Sequence, residues 1–394
     1  MKRFILFLVL LAGSLLFAGM PDTLFTLPMP QFCAPYYDFF ARNYIGSEAA
    51  GRGYTGLSIP APLPGVMLNP ATLELDKTRF YLEAIFKPAY AAEALPFSAE
   101  YHGSDLPLGI VALGFPLGNS WDAALSYSCP QSLILKDFSV EINQGAGMVV
   151  RRPTQILHQA TGTLAWQPVP QLRLGLNLIN QWHYIDDHLW VHSWDRQEYF
   201  SYNFRLQPGL ILGDESKGLG LSGMPPTPTK WELRLASYEY DIPWEAAVGG
   251  HYSQGDLRLA LDMHYQNTAQ IHEDFKDHYS LHLGLEKAKG VNTYRAGYLY
   301  SSDVYSGYVK IPINPAAESG ELDPDYFWEY VNPYLKISDT AQHFLGVGYT
   351  RNFRRGNIYF SAMHAFGPPQ AQTQLTLGLN LHTSTFFNTK LPDK

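Results

Sequence analysis

The stretch Asp256-Leu257-Arg258-Leu259-Ala260-Leu261-Asp262-Met263-His264-Tyr265-Gln266 decides the fold. Leu257, Leu259, Leu261, Met263 and Tyr265 share one side of it; Arg258, Ala260, Asp262 and His264 share the other. Strict alternation marks a strand with two unlike faces, whereas a helix at 3.6 residues per turn would scatter these residues around its axis. Residues 373–382 repeat the pattern, with Leu375, Leu377, Leu379 and Leu381 opposite Gln374, Thr376, Gly378, Asn380 and His382. So do residues 279–286, which set Tyr279, Leu281, Leu283 and Leu285 against Ser280, His282, Gly284 and Glu286. A strand of a lipid-embedded barrel alternates apolar outward and polar inward over about 9–11 residues, the length of these three.

Working outward, weaker examples of the same pattern fall at 79–90, 108–115, 121–129, 156–167, 171–183, 197–212, 230–240, 244–253, 293–301, 343–352 and 357–366. With the three clear strands the total is about 14, an even number, as single-chain bacterial barrels require. The connections give a separate test, because such barrels alternate short periplasmic turns with longer outer loops. Short links at 117–120, 169–170, 254–255, 288–290 and 353–356 are interleaved with long ones at 130–155, 184–196, 267–277 and 302–342. The alternation fails once, where 213–229 is long and the next link, 241–243, is tight. Either the longer link is periplasmic or two strands rise above the membrane, which would leave about 12 in the wall. Trp121, Trp166, Trp182, Trp231, Trp244 and Tyr300, near predicted strand ends, suit the aromatic girdles at the membrane surfaces.

Composition agrees with an exported membrane protein. Only 16% of residues are charged, against roughly 25% in soluble domains, while 14% are aromatic. The net charge of −8 speaks against a nucleic-acid partner, which would favour basic patches. Lys2 and Arg3 precede an apolar run from Phe4 to Phe17 that is too short for the roughly 20 residues a spanning helix needs. With small residues at Ala18 and Gly19, it has the form of a secretory signal peptide over residues 1–19. Two cysteines, Cys33 and Cys129, would then meet an oxidising compartment and either pair or stay as buried thiols.

Between the signal and the first strand, residues 20–77 do not alternate and are rich in Gly and Pro. Irregular backbone cannot face lipid with its polar groups unsatisfied, so this segment belongs in the lumen or the periplasm. Asn69 followed by Pro70 predicts a capped helical turn just before strand one. The run Ser47-Glu48-Ala49-Ala50-Gly51-Arg52-Gly53-Tyr54-Thr55-Gly56, followed by Val66-Met67-Leu68-Asn69-Pro70-Ala71, resembles the N-terminal plug of the FadL family of outer-membrane transporters for hydrophobic compounds. Towards the other end, Tyr294-Arg295-Ala296-Gly297-Tyr298, a long loop, His343–Tyr349 and Ala362–Phe366 are similar to the family's last four strands in order and spacing. The resemblance implies a transmembrane antiparallel β-barrel of 14 strands over residues 78–383, with a tail at 384–394. It further implies a lumenal hatch containing Gly51, Arg52, Gly53, Asn69, Pro70 and Ala71, with ligand released sideways or inward when the hatch shifts. Barrels of the PorV type, which bind exported proteins, share the Asn-Pro-Ala region, so an exported-protein partner is the alternative.

A channel for apolar molecules needs a pocket lined by aliphatic and aromatic groups with a few polar anchors, here expected to run from the outer loops to Asn69. Leu189, Trp190, Val191 and Trp194 in one loop, and Tyr326, Phe327, Trp328 and Tyr330 in another, are candidates for hydrophobic capture or for packing of loop on loop. Arg258, Asp262, His264, His282, Glu286 and Arg295 fall on lumen faces; Arg258 or Arg295 could pair a ligand carboxylate, though mutual salt bridges explain them more simply. His188 and His192 near Asp186, Asp187 and Asp195 match no zinc spacing, so no metal is expected. There is no Gly-x-Ser-x-Gly and no phosphate-cradling Gly-x-Gly-x-x-Gly context; Gly218–Gly223 is taken as a flexible link. The expectation is a channel without cofactor or catalytic residues, whose surroundings are outer-membrane lipid and a hydrophobic small molecule.

Overall fold

The computed structural model describes residues 42–382 except 62, 89, 95–96, 103–107, 143–146, 191–193, 233–236, 271–275, 304–340 and 367–372. The wall begins with β1 (Arg79–Phe86), β2 (Tyr90–Ala94), β3 (Phe97–His102), β4 (Leu108–Pro116), β5 (Trp121–Ile142), β6 (Gly147–Val169), β7 (Leu172–Trp190), β8 (Trp194–Gly213) and β9 (Lys217–Met224). It continues with β10 (Thr227–Glu232), β11 (Ser237–Ile242), β12 (Glu245–Gln254), β13 (Leu257–Gln266), β14 (His278–Lys289), β15 (Asn292–Ser301), β16 (Gln342–Phe353), β17 (Gly356–Phe366) and β18 (Thr373–His382). β1 with β2, β3 with β4, β9 with β10, and β11 with β12 are each one wall strand broken in two, so the eighteen segments make a closed antiparallel ring of 14 strands. Closure is made by β1 against β18, from Arg79↔His382 to Phe86↔Leu375.

The alternation seen in sequence sets which way each face points. On β13, Leu259 and Leu261 are 51% and 50% exposed, while Ala260 and Asp262 are 7% and 1% exposed. Leucine outside and aspartate inside inverts a soluble protein, and lipid is the solvent that makes the inversion favourable. No helix among the described residues is long and apolar enough to cross a membrane. Aromatic pairs mark the band's two edges. Near the short turns, Trp121 stacks on Trp166 at 5.4 Å and Tyr294 packs on Tyr349 at 5.6 Å. Near the other end, Trp244 meets Tyr265 at 4.9 Å and Tyr279 meets Tyr300 at 5.8 Å. The turns at Gly255 and Gly290 are tight, with φ of 59° and 61°, a conformation that glycine adopts without steric cost.

The seventh wall strand corrects the sequence reading. It is Lys217–Met224 continued by Thr227–Glu232, not 230–240, and 213–216 is a short turn. The supposed flexible link carries Leu219 and Leu221 outward, with Gly218, Gly220 and Ser222 on the opposite face. The inward positions are small because the backbone of Leu57 lies against Gly220. The tight link at 241–243 is a kink within strand eight, and all 14 strands stay in the wall. Much of the expected loops 130–155 and 184–196 is also strand. β5, β6, β7 and β8 run for 22, 23, 19 and 20 residues, beyond the roughly 9–11 that lipid requires. Above the lipid neither face has to be apolar, so the period-two signal disappears there.

Candidate functional site

Inside the ring lies the chain's own N-terminal segment. From Arg42 to Leu75 it touches inward positions of strands all round the wall, and Ala50, Thr55, Leu57, Asn69, Ala71 and Leu73 have no exposed surface. Among the described residues its one α-helix is α1 (Ser47–Gly51), too short to stand alone, so its hold comes from the wall. Glu83 on β1 accepts from Gly46 N at 2.8 Å, Ser47 N at 2.7 Å, Ser47 Oγ at 2.8 Å and Tyr81 OH at 2.5 Å. Asp262 on β13 accepts from Gly56 N at 2.6 Å and Leu57 N at 3.0 Å. Each carboxylate thereby satisfies two backbone donors that no regular secondary structure serves.

Between these anchors is an ion-pair network. Glu286 on β14 meets Arg52 at 2.7 Å, Arg295 at 2.6 Å and Arg258 at 3.2 Å; Arg295 also reaches Glu48 at 2.7 Å and donates to Thr350 Oγ1. Arg258 and Arg295, candidates for a ligand carboxylate, are thus engaged with protein carboxylates, and neither lines the cavity described below. Arg52, itself buried, is the segment's own contribution to the network.

The Asn69-Pro70-Ala71 element forms a single 3-10 turn, Pro70–Thr72, in which Asn69 Oδ1 accepts from Ala71 N at 3.0 Å. Asn69 Nδ2 donates to Leu57 O at 2.7 Å and to Leu210 O of the wall at 3.2 Å. One carboxamide therefore closes the turn and ties it both to the segment and to β8. The turn fits because the wall opposite is glycine: a Cβ at Gly209 would overlap Asn69 Oδ1, and one at Gly175 would overlap the Pro70–Ala71 peptide. Gly297 plays the same part beneath Arg52 and Gly53. Asn177 Nδ2 to Val66 O at 2.8 Å, Arg173 Nη1 to Leu73 O at 2.9 Å and Gln207 Nε2 to Leu68 O at 3.1 Å complete the attachment on this side.

Above the segment is a cavity of about 230 Å³. Tyr44, Ile45, Tyr54, Met67 and Leu68 form its segment side; Leu157, Ile179, Ile242 and Leu299 are apolar wall positions. Gln159, Gln181, Gln207, His264, His282 and Arg205 break that apolar surface, so polar groups are more numerous than the few anchors expected from sequence. The inward face of a barrel alternates with a lipid face, and its positions carry side chains that also have to bind the segment's polar backbone. Burial pushes the hydroxyls of Tyr44 and Tyr54 up, which keeps both neutral. Arg205 is neutralised by Glu245 at 2.9 Å.

Of the capture candidates, Leu189 and Trp190 end β7 and Trp194 begins β8, with Trp190 opposite Trp194 across the strand pair. Tyr326, Phe327, Trp328 and Tyr330 lie outside the described residues, as does Val191. Cys129 is buried with Sγ 3.9 Å from His158 Nδ1; Cys33, residues 1–41 and the tail are outside the described residues, so the expected pairing and the signal peptide are too. Sequence reasoning missed Glu83, Asn177 and Gln207. Alternation from Tyr81 to Ile85 was the available signal for Glu83, but nothing local shows that its partners are backbone amides.

A closed lipid-facing ring of 14 strands, its lumen crossed by its own N-terminal segment with a cavity beside that segment, is the architecture of a plugged transmembrane β-barrel. No protein-family model matches the chain, and no curated protein matches it. Among solved structures, a Pseudomonas aeruginosa FadL homologue superposes with a TM-score of 0.57 at 12% identity, covering 87% of this chain and 99% of that one. The Pseudomonas putida toluene transporter TodX gives 0.60 at 11% identity, with 88% and 99% covered. The monoaromatic hydrocarbon channel CymD gives 0.54 at 12%, with 85% and 96% covered. The chain has the fold of these FadL-type barrels.

Proposed function

We propose that the protein is an outer-membrane channel for passive entry of small hydrophobic molecules, exported by its signal peptide and gated by the N-terminal segment acting as a hatch. The observation that carries this reading is the cavity between segment and wall, in a fold whose similar structures are hydrocarbon channels and a FadL homologue. An apolar cavity of about 150 Å³ accommodates benzene. At about 230 Å³ the present cavity therefore suits a substituted single ring or a short alkyl chain better than an entire long-chain fatty acid. Its polar wall positions would orient the ligand rather than hold it tightly. Transport down a gradient needs no cofactor and no bond-breaking groups, and the segment's buried ion pairs keep the resting state closed to water.

The test is uptake of labelled toluene and labelled dodecanoic acid by cells whose outer membrane lacks other channels of this type, with and without the protein. Entry of toluene at several times the background rate is expected, with a smaller effect on the acid. Equal rates in both strains would sink the transport reading.

A further inference from the structure

The rim of the barrel that carries the short turns is unevenly charged. The turn regions joining β14 to β15 (287–292) and β16 to β17 (351–357) hold five cations, Lys287, Lys289, Arg351, Arg354 and Arg355, and no carboxylate. The other short turns differ: 117–120 and 167–171 carry no charge, 254–256 carries Asp256, and 213–217 carries Asp214 and Glu215 with Lys217. The two basic turns therefore stand against the chain's net charge of −8. Beside them, Lys77 and Arg79 are held by Asp76 at 3.4 and 2.7 Å. Lys287, Lys289, Arg351 and Arg354 are exposed and, among the described residues, have no carboxylate partner.

Strand alternation aims three of these cations at the membrane. Lys287 continues the outward face of Leu281, Leu283 and Leu285 and lies opposite Tyr294, which lies opposite Tyr349. Lys289 and Arg351 flank Asn292 in the next outward row, about 10 Å wide across two strand spacings. That row lies about 5 Å nearer the turns than the Tyr294–Tyr349 pair, two tilted residues along each strand. Tyrosines of such girdles sit at headgroup level, so the cations lie at the depth of lipid phosphate. Val291 and Phe353, apolar residues 53% and 41% exposed at the turns, belong at a boundary of headgroup and acyl chain rather than on a wholly aqueous face.

The two turns also form one built surface. Asn352 N donates to Val291 O at 2.8 Å, and Tyr349 OH donates to Asn292 Oδ1 at 2.7 Å. His382 N donates to Arg355 O at 3.1 Å, tying the second turn to β18. The backbone beneath the cations is thus fixed before a ligand arrives, and only their side chains need ordering.

We propose that this ledge binds an anionic phospholipid of the inner leaflet, its phosphate held by Lys287, Lys289 and Arg351 beneath the two tyrosines. Arg354 and Arg355 add attraction from the aqueous side. The outward aim of the row, at girdle depth, favours a lipid over an acidic protein approaching from the periplasm. The site requires the lipid-facing wall and is independent of the transport reading.

The test offers the full chain, in phosphatidylcholine vesicles, a phosphatidylglycerol and a phosphatidylcholine that carry the same photoreactive diazirine close to the glycerol. Cross-links are mapped by peptide mass spectrometry. At low salt, phosphatidylglycerol should label 287–292 and 351–357 about tenfold more than phosphatidylcholine does, with no such preference at 213–217 or 254–256. Near 1 M salt, where the screening length is about 3 Å, the preference should vanish. Equal labelling by the two lipids at low salt overturns the site and leaves the ledge to an acidic protein. Displacement of the label by inorganic phosphate, but not by chloride of equal ionic strength, overturns it in favour of a free anion. The variant with Lys287→Gln, Lys289→Gln, Arg351→Gln and Arg354→Gln together should lose the preference; a folded variant that keeps it overturns the proposal. Should that variant fail to insert, the map on the unaltered protein decides by itself.

Discussion

Glu286 concentrates more of the interior's electrostatics than any neighbouring residue. Its carboxylate is shared by Arg52, Arg258 and Arg295, and the first of these belongs to the inner segment. Substituting Glu286→Gln keeps the volume and removes the charge, leaving Arg295 with Glu48 and the buried Arg52 without its carboxylate partner. Breaking a buried pair by deleting one partner costs about 3–5 kcal/mol, because the surviving charge is left desolvated. The loss should appear locally, as faster amide exchange over residues 46–58, while the strands stay protected. Exchange there as slow as in the unaltered protein would show that Glu83 and Asp262 suffice to hold the segment. Arg258→Met, whose guanidinium is 27% exposed, should change exchange little.

Among elements, the strands and the segment were legible to different degrees. β13, β14 and β18 announce themselves because every second side chain meets lipid. β9 does not, since its inward positions are Gly218, Gly220 and Ser222, and a strand of alternating leucine and glycine is also what a flexible linker contains. Knowing that Leu57 presses against Gly220 makes the glycine intelligible, but that contact joins residues far apart in sequence. The candidate site was legible in part for the same reason. Asn69 and Arg52 were visible as a capped turn and as part of a motif, and Asp262, His264, His282 and Glu286 as lumen-facing positions. The cavity's mixed lining, set by which wall residues the segment leaves uncovered, was not. Glycines such as Gly297 should therefore behave as fitting surfaces. Gly297→Val would drive a side chain into the Arg52–Gly53 backbone and lift the segment from β15. Planar bilayers should then show ion conductance where the unaltered protein is silent; silence in both would mean that the segment adapts without leaving.

For the molecule as a whole, the arrangement of polar and apolar faces makes a prediction about solvent. The outward surface carries Leu219, Leu259, Leu261, Val347 and Leu377, each about half exposed or more, over the full circumference. An exposed apolar patch on a soluble monomer rarely exceeds a few hundred Å². The protein should accordingly be monodisperse only in detergent or lipid and should aggregate within minutes of dilution into plain buffer. A clear monomer by light scattering in such buffer would exclude a lipid-facing wall.

One feature of the ring constrains how the molecule is made. The closing seam joins Arg79–Phe86 to the last described strand, Thr373–His382, so it cannot form until nearly all of the chain has arrived. The material that fills the centre comes earlier, ahead of the first strand, and its ties reach partners as distant in sequence as Gln374, which holds Tyr44 through both N and O. The sheet must therefore be wrapped around its contents, like staves raised about a core and hooped last, and the contents act as the form on which curvature is set.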